Sequence, residues 1–179
     1  MTAATPSPVE PGTPSPVGPG TPLLGIVCGS PADRDHADAI ADAARKLGIE
    51  VELRIASAHR TPEHALAVLR GWDAAAEHRP VVIVSVAGRS NALSGFSDPQ
   101  VRVPVIACPP PGPDVDLWSS LRMPAGVASV VVLEPANAAL AAAKMLGLAD
   151  TKVRAAVAAD QAARRQRVLD ADADAVGPS

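Results

Sequence analysis

Aromatic residues are nearly missing from this chain: they make up 2% of 179 residues, with no tyrosine, one phenylalanine and two tryptophans. The stacking platforms on which single-strand nucleic-acid binders hold bases are therefore not available. A basic excess is missing too. Sixteen Lys and Arg stand against nineteen Asp and Glu, a net charge of −3. No cation surplus exists to neutralise a phosphate backbone, which argues against a general nucleic-acid binder. Cysteine is scarce. Cys28 and Cys108 cannot build a disulfide scaffold and supply too few thiolates for a Cys-based zinc site. No apolar run reaches the roughly 18 residues of a membrane span. The N-terminus lacks the basic-then-apolar order of a signal peptide. These absences predict a soluble, cytoplasmic protein. What remains is 47% hydrophobic, enough for one domain with a core of Ala, Val, Leu and Ile and closely packed helices.

Proline is plentiful, with nineteen residues, but unevenly spread. Residues 1–22 read MTAATPSPVEPGTPSPVGPGTP, with almost no apolar side chain larger than Val. Such a segment cannot bury enough surface to offset its ordering entropy. It reads as a disordered, partly polyproline II tail. The alternative, a ligand for a proline-binding domain, lacks the basic residue such ligands carry. The folded α/β domain is expected over residues 23–150. Residues 151–179 are expected to form a terminal helix and a short tail, packing on its own sheet or on a neighbouring subunit.

Beyond the tail, strand and helix patterns alternate. LLGIVC (23–28), EVELRIA (50–56), VVIVSV (81–86), VPVIA (103–107) and VASVVVL (127–133) read as strands. Residues 33–47, 62–72, 117–121, 136–146 and 151–170 read as helices. The first carries Ala37, Ile40, Ala41, Ala44 and Leu47 on one face and ends at Gly48. Pro62 suits a first helical turn, which Thr61 can cap. Alternation of this kind with near-continuous apolar strands predicts a parallel sheet covered on both faces. Ligands of such sheets bind beyond the carboxyl ends of the strands.

Those ends hold the informative residues. After the first strand come Gly29-Ser30-Pro31-Ala32-Asp33, a glycine, a hydroxyl and a carboxylate where a helix begins. Helix N-termini favour anions such as phosphate, and Asp33 suits ribose hydroxyls. Plain capping by Ser30 or Asp33 is the blander reading. The loop matches neither a Walker ending nor GxGxxG. After the second strand, Ser57, His59 and Arg60 cluster within four residues. His59 can serve as general acid or base, and Arg60 can hold a phosphate or carboxylate with two parallel bonds. His36 and His64 on helices and His78 in a connector read as structural, and no pair of them has the flanking residues of a metal site. Cys28 and Cys108 read as small core residues, because a nucleophilic thiol would need a depressed pKa.

Four segments together carry a family resemblance: GSPAD at 29–33, SAHRTP at 57–62, LRMPAGV at 121–127 and ANAALAAAKML at 136–146. They resemble aminoimidazole ribonucleotide carboxylase and carboxyaminoimidazole ribonucleotide mutase of purine biosynthesis, over essentially the whole folded chain. The resemblance implies a flavodoxin-like, three-layer α/β/α sandwich. It implies a homo-octamer with active sites at subunit interfaces and no cofactor or metal. It implies a ribonucleotide substrate together with carbon dioxide or bicarbonate, and neither a nucleic-acid nor a membrane partner. Gly29, Ser30 and Asp33 then fall in the first substrate-binding loop. Ser57 and Arg60 match positions that hold the phosphate, and His59 matches the catalytic histidine. In the mutase that histidine protonates a carbamate nitrogen, carbon dioxide departs within the closed pocket, the imidazole carbon attacks it, and the histidine takes the ring proton.

The third strand end departs from the family. Typical members read like GAGGAAHLPG, whereas this chain has VAGRSNALSG at 86–95. Aligned on Gly95, Arg89 replaces a glycine, Ala92 a second histidine and Ser94 a proline. Gly88, Arg89, Ser90 and Asn91 are expected to bind substrate in a rebuilt base-side pocket. Two further readings follow. A diverged member could carboxylate or decarboxylate a different substrate, which an extra cation at Arg89 would suit. A non-catalytic paralogue could bind a nucleotide, although binding alone would not need His59.

Overall fold

The structure, a computed structural model, describes residues 20–176. All but the last three residues of the expected Pro-rich tail lie outside the described residues. Five strands form one sheet: β1 (Leu23–Cys28), β2 (Glu50–Ile55), β3 (Val81–Val86), β4 (Val105–Ala107) and β5 (Val130–Val131). Their order is β2-β1-β3-β4-β5, and every pairing is parallel. This is the flavodoxin-like order, in which the sheet grows one way from β1 to β2 and the other way from β1 to β3. The helices are α1 (Arg34–Lys46), α2 (Pro62–Ala75), α3 (Ala92–Ser97), α4 (Asp114–Leu121), α5 (Pro135–Leu146) and α6 (Thr151–Val176).

Strand alternation divides the apolar residues between two faces. Leu24, Ile26 and Cys28 of β1 and Val82, Val84 and Val86 of β3 meet Ala37, Ile40, Ala41 and Ala44 of α1 and the alanines of α5. Small residues on both helices let α1 and α5 lie close together. Leu23 and Val27 on the opposite face meet Ala65, Leu69 and Trp72 of α2. Gly25 is the space that Trp72 needs: a Cβ there would lie 2.6–2.9 Å from three indole carbons. The indole is fixed in turn, because Nε1 donates to Glu52 Oε2 at 2.9 Å. Both faces of β1 and β3 are thus covered, which is why they read as unbroken apolar runs.

Several boundaries differ from the sequence reading. β4 starts two residues late, after Pro104, which has no N–H to donate. β5 keeps only Val130 and Val131 of the expected seven residues, because only these pair with Ile106 and Ala107 at the sheet edge. α4 begins at Asp114, directly after Pro113, with Asp114 and Asp116 in its first turn. α3 was not expected at all. α6 continues past Asp170 to Val176; its first two turns bury Val153 and Val157 against the α1–α5 layer, and the remainder is largely exposed.

Candidate active site

The turn between β1 and α1 is shaped by short bonds to its neighbours. Gly29 N–H donates to Val86 O at 2.8 Å, tying the first loop to the end of β3. A Cβ on Gly29 would lie 3.1 Å from Ala87 Cβ, so a side chain would crowd that junction. Ser30 Oγ accepts from Ala32 N–H at 3.3 Å and caps a short 3-10 turn that runs into α1. Asp33 makes no capping bond with its carboxylate, which is left to face the cleft.

The second loop closes on its own hydroxyls. Ser57 N–H donates to Thr61 Oγ1 at 2.9 Å, and Arg60 N–H donates to Ser57 Oγ at 3.2 Å. The Thr61 hydroxyl therefore closes the turn and does not cap α2 with its side chain, contrary to the sequence expectation. This tight turn presents His59 and Arg60 outward, both exposed. Arg60 Nη2 reaches across to Gly29 O at 3.3 Å and joins the first two loops.

The third loop follows β3. Arg89 has φ +54, the one non-glycine residue in the left-handed region among the described residues. An L residue there costs about 1–2 kcal/mol. Gly88 lies against Pro110, whose Cγ would be 3.3 Å from an added Cβ. Among the described residues neither Arg60 nor Arg89 has a carboxylate in salt-bridge range. Two unpaired guanidinium groups facing one carboxylate make the cleft anion-seeking.

The three loops enclose one cleft of about 600 Å³ at the switch point between β1 and β3. Every residue named from the sequence as a site candidate lines it except Asn91: Gly29, Ser30 and Asp33 from the first loop, Ser57, His59 and Arg60 from the second, Gly88, Arg89 and Ser90 from the third. Asn91 is buried instead, 1% exposed. Its Oδ1 accepts from Ser94 N–H at the start of α3, and its Nδ2 donates to Ser120 Oγ at 2.9 Å. Both ends of its amide are engaged within the protein, and its burial keeps it out of the cleft lining. Ala32, Ala58 and Leu93 line the cleft without having been named; small or apolar side chains carry no chemical signal in a sequence.

A second cavity of about 310 Å³ adjoins the first across Gly88 and Arg89, between Pro109–Pro113 and Glu134. Near it His36 Nε2 lies 3.4 Å from Cys108 Sγ. Burial pushes the Cys108 thiol up to about 12, with the Glu134 carboxylate adding to the effect. Burial also raises the Cys28 thiol and lowers His36. Neither thiol is thus prepared as a nucleophile. Among the described residues no group of three or more His, Cys, Asp or Glu side chains is placed to hold a metal ion. No described helix is long and apolar enough to cross a membrane.

The model of the AIR carboxylase family matches residues 23–167. The chain belongs to the AIR carboxylase family. A Treponema denticola phosphoribosylaminoimidazole carboxylase is 43% identical over 153 residues, covering 84% of this chain and 95% of the relative. An Archaeoglobus fulgidus protein of the same name is 46% identical over 150 residues, covering 82% of this chain and 81% of the relative. The crystal structure of Treponema denticola PurE superposes with a TM-score of 0.81 at 43% identity, over 84% of this chain and 96% of the other. The matched span of the AIR carboxylase family leaves out the Pro-rich segment and the last twelve residues, 168–179.

Proposed function

We propose that this AIR carboxylase family member joins carbon dioxide to aminoimidazole ribonucleotide, as a cytoplasmic homo-octamer. The observation that carries the reading is the convergence of the Gly29–Asp33, Ser57–Arg60 and Gly88–Ser90 loops on one cleft. The names of the Treponema and Archaeoglobus relatives support carboxylation over the mutase reaction. In this reading Ser30, Ser57 and Arg60 hold the phosphate. The hydroxyls can donate, and the guanidinium offers a charge-assisted pair. Asp33 faces the ribose hydroxyls.

The amino group of the substrate pushes electron density onto the adjacent ring carbon. That carbon attacks carbon dioxide; a C–C bond forms and one C=O pair moves to oxygen, giving a carboxylate. The ring carbon then carries both a hydrogen and the new carboxylate. His59 removes that proton and restores the aromatic ring, then passes the proton to solvent. The net change is one carbon dioxide consumed and one proton released. In this reading Arg89, which lines the same cleft, stabilises the carboxylate as it forms, so its presence serves this reaction without requiring another substrate. A charged nucleotide does not cross membranes unaided, which supports a cytoplasmic site of action. Exposed Val115 (70%), Trp118 (58%) and Leu121 (51%) form an apolar stripe on α4, which supports assembly.

The test is a steady-state assay of the full chain with aminoimidazole ribonucleotide and carbon dioxide. Turnover is expected without any carbamate isomer. His59→Asn should lower kcat by about 100-fold or more while nucleotide binding persists. Arg60→Ala should raise the nucleotide KM by about tenfold or more, the loss of a charged hydrogen bond. A parent enzyme silent on this nucleotide overturns the reading, and parent-like turnover in His59→Asn removes that residue from the chemistry.

A further inference from the structure

We infer that Ser119 and Ser120, adjacent on α4, are positioning residues of this cleft: their hydroxyls fix the Gly88–Asn91 loop in the shape that carboxylation uses. The inference rests on the proposed carboxylation and names parts of the chain that the cleft itself does not include. Neither serine lines the cleft, so neither is a catalytic residue.

The contacts are specific. Ser119 Oγ accepts from Asn91 N–H at 2.8 Å. It lies 3.1 Å from Arg89 O and 2.7 Å from Asp116 O. A hydroxyl has one proton, so it serves one of these two carbonyls at a time. The bond it accepts from Asn91 persists in either case. Ser120 Oγ accepts from Asn91 Nδ2 at 2.9 Å, and both Ser120 and Asn91 are 1% exposed. Asn91 Oδ1 meanwhile caps α3. One asparagine thus links α4 to α3, and one serine grips the chain on both sides of Ser90.

The backbone at Arg89 is what these bonds hold. A left-handed L residue persists only where its surroundings over-determine it. Gly88 has Pro110 on one side; on the other the Asn91 amide is bound by Ser119 Oγ, which also lies within reach of the Arg89 carbonyl. Without Ser119, the Asn91 N–H loses its partner and the Arg89 peptide is free to rotate toward commoner φ values. The side chain of Arg89, a residue that lines both cavities, would then shift. The phosphate side would be untouched, because Ser30, Ser57 and Arg60 are held by bonds among the first two loops.

The experiment compares the full-length parent with Ser119→Ala, Ser119→Thr and Ser120→Ala, using two measurements. Amide hydrogen exchange without ligand should be about tenfold faster at residues 88–92 in both alanine variants, the equivalent of one lost hydrogen bond. Steady-state carboxylation should show kcat lowered about tenfold, with the nucleotide KM within about twofold of the parent. Ser119→Thr, which keeps the hydroxyl, should restore both readouts. Parent-like exchange at residues 88–92 in both alanine variants overturns the inference. So does a kcat loss that Ser119→Thr fails to rescue, which would mark a packing role. A parent inactive on aminoimidazole ribonucleotide sinks the proposed function, whereas the exchange comparison still decides whether the serines hold the loop.

Discussion

Arg89→Gly is expected to raise the melting temperature and lower carboxylation, because the strain lies in the backbone and the charge proposed to stabilise the new carboxylate lies in the side chain. The strain is in the backbone: φ is +54. For an L residue that conformation costs about 1–2 kcal/mol, and glycine adopts it freely. Glycine also loosens the unfolded chain, which returns about 0.5–1 kcal/mol. The difference favours the glycine variant by about 0.5–1 kcal/mol. At roughly 2–4 °C per kcal/mol for a fold of this size, the melting temperature should rise by about 1–4 °C. Arg89→Ala keeps the left-handed backbone and should show no such rise. Both variants lose the guanidinium. If it bonds the forming carboxylate, about 1.5–3 kcal/mol of stabilisation goes with it, or about 10- to 150-fold in rate. Arg89→Lys keeps the charge without the planar fork and should fall between. Melting is followed at equal protein concentrations, because association shifts it, and turnover by the carboxylation assay. A glycine variant no more stable than the alanine variant refutes the strain argument. Parent-like turnover in Arg89→Ala refutes the catalytic one.

Two further outcomes are expected away from the cleft. Gly25→Ala should destabilise the fold by about 1–3 kcal/mol in urea unfolding, because the new methyl meets an indole that its bond to Glu52 keeps from moving. The Cys108 thiol, pushed up to about 12, should resist alkylation in the native protein at pH 8 and react once the chain is unfolded. Its folded value lies above the unfolded value of about 8.5. The stability it contributes is therefore complete below that pH and is lost as pH climbs toward the folded value. Urea titrations at pH 7 and pH 10 should show a smaller pH loss in Cys108→Ala than in the parent.

The sheet was legible because β1 and β3 are buried on both faces, which leaves an unbroken apolar run as the mark of each. Strand-end placement then brought Gly29, His59 and Arg89 to one cleft without any knowledge of their spacing in space. The edge was harder. β5 has the composition of a seven-residue strand, but only two residues find a pairing partner, and pairing is a property of the neighbour. α3 was hidden because ALSGFS places a glycine and serines in one and a half turns, too few apolar positions to show a period. The burial of Asn91 was hidden for a related reason. An asparagine in a strand-end loop looks the same whether its amide meets a substrate or a helix; only the position of Ser120 decides.

The third loop joins a left-handed backbone to a cationic side chain at Arg89. Judged by residue type, arginine at a family glycine position suggests a different backbone, because glycine is the residue that tolerates positive φ. The structure separates the two. Arg89 keeps a backbone suited to glycine, at φ +54, and adds a guanidinium to it. That combination needs an external clamp, since nothing in the side chain favours the left-handed region. The clamp comes from α4, where Ser119 holds the Asn91 amide and reaches the Arg89 carbonyl. The serine pair in WSSL, which carries no motif of its own, is thus the condition for reading Arg89 as a catalytic-cleft residue. Removing the clamp and removing the cation should therefore impair the same step, the first through the loop and the second through the charge. Their combined effect in an Ser119→Ala, Arg89→Ala double variant should be much less than the product of the two.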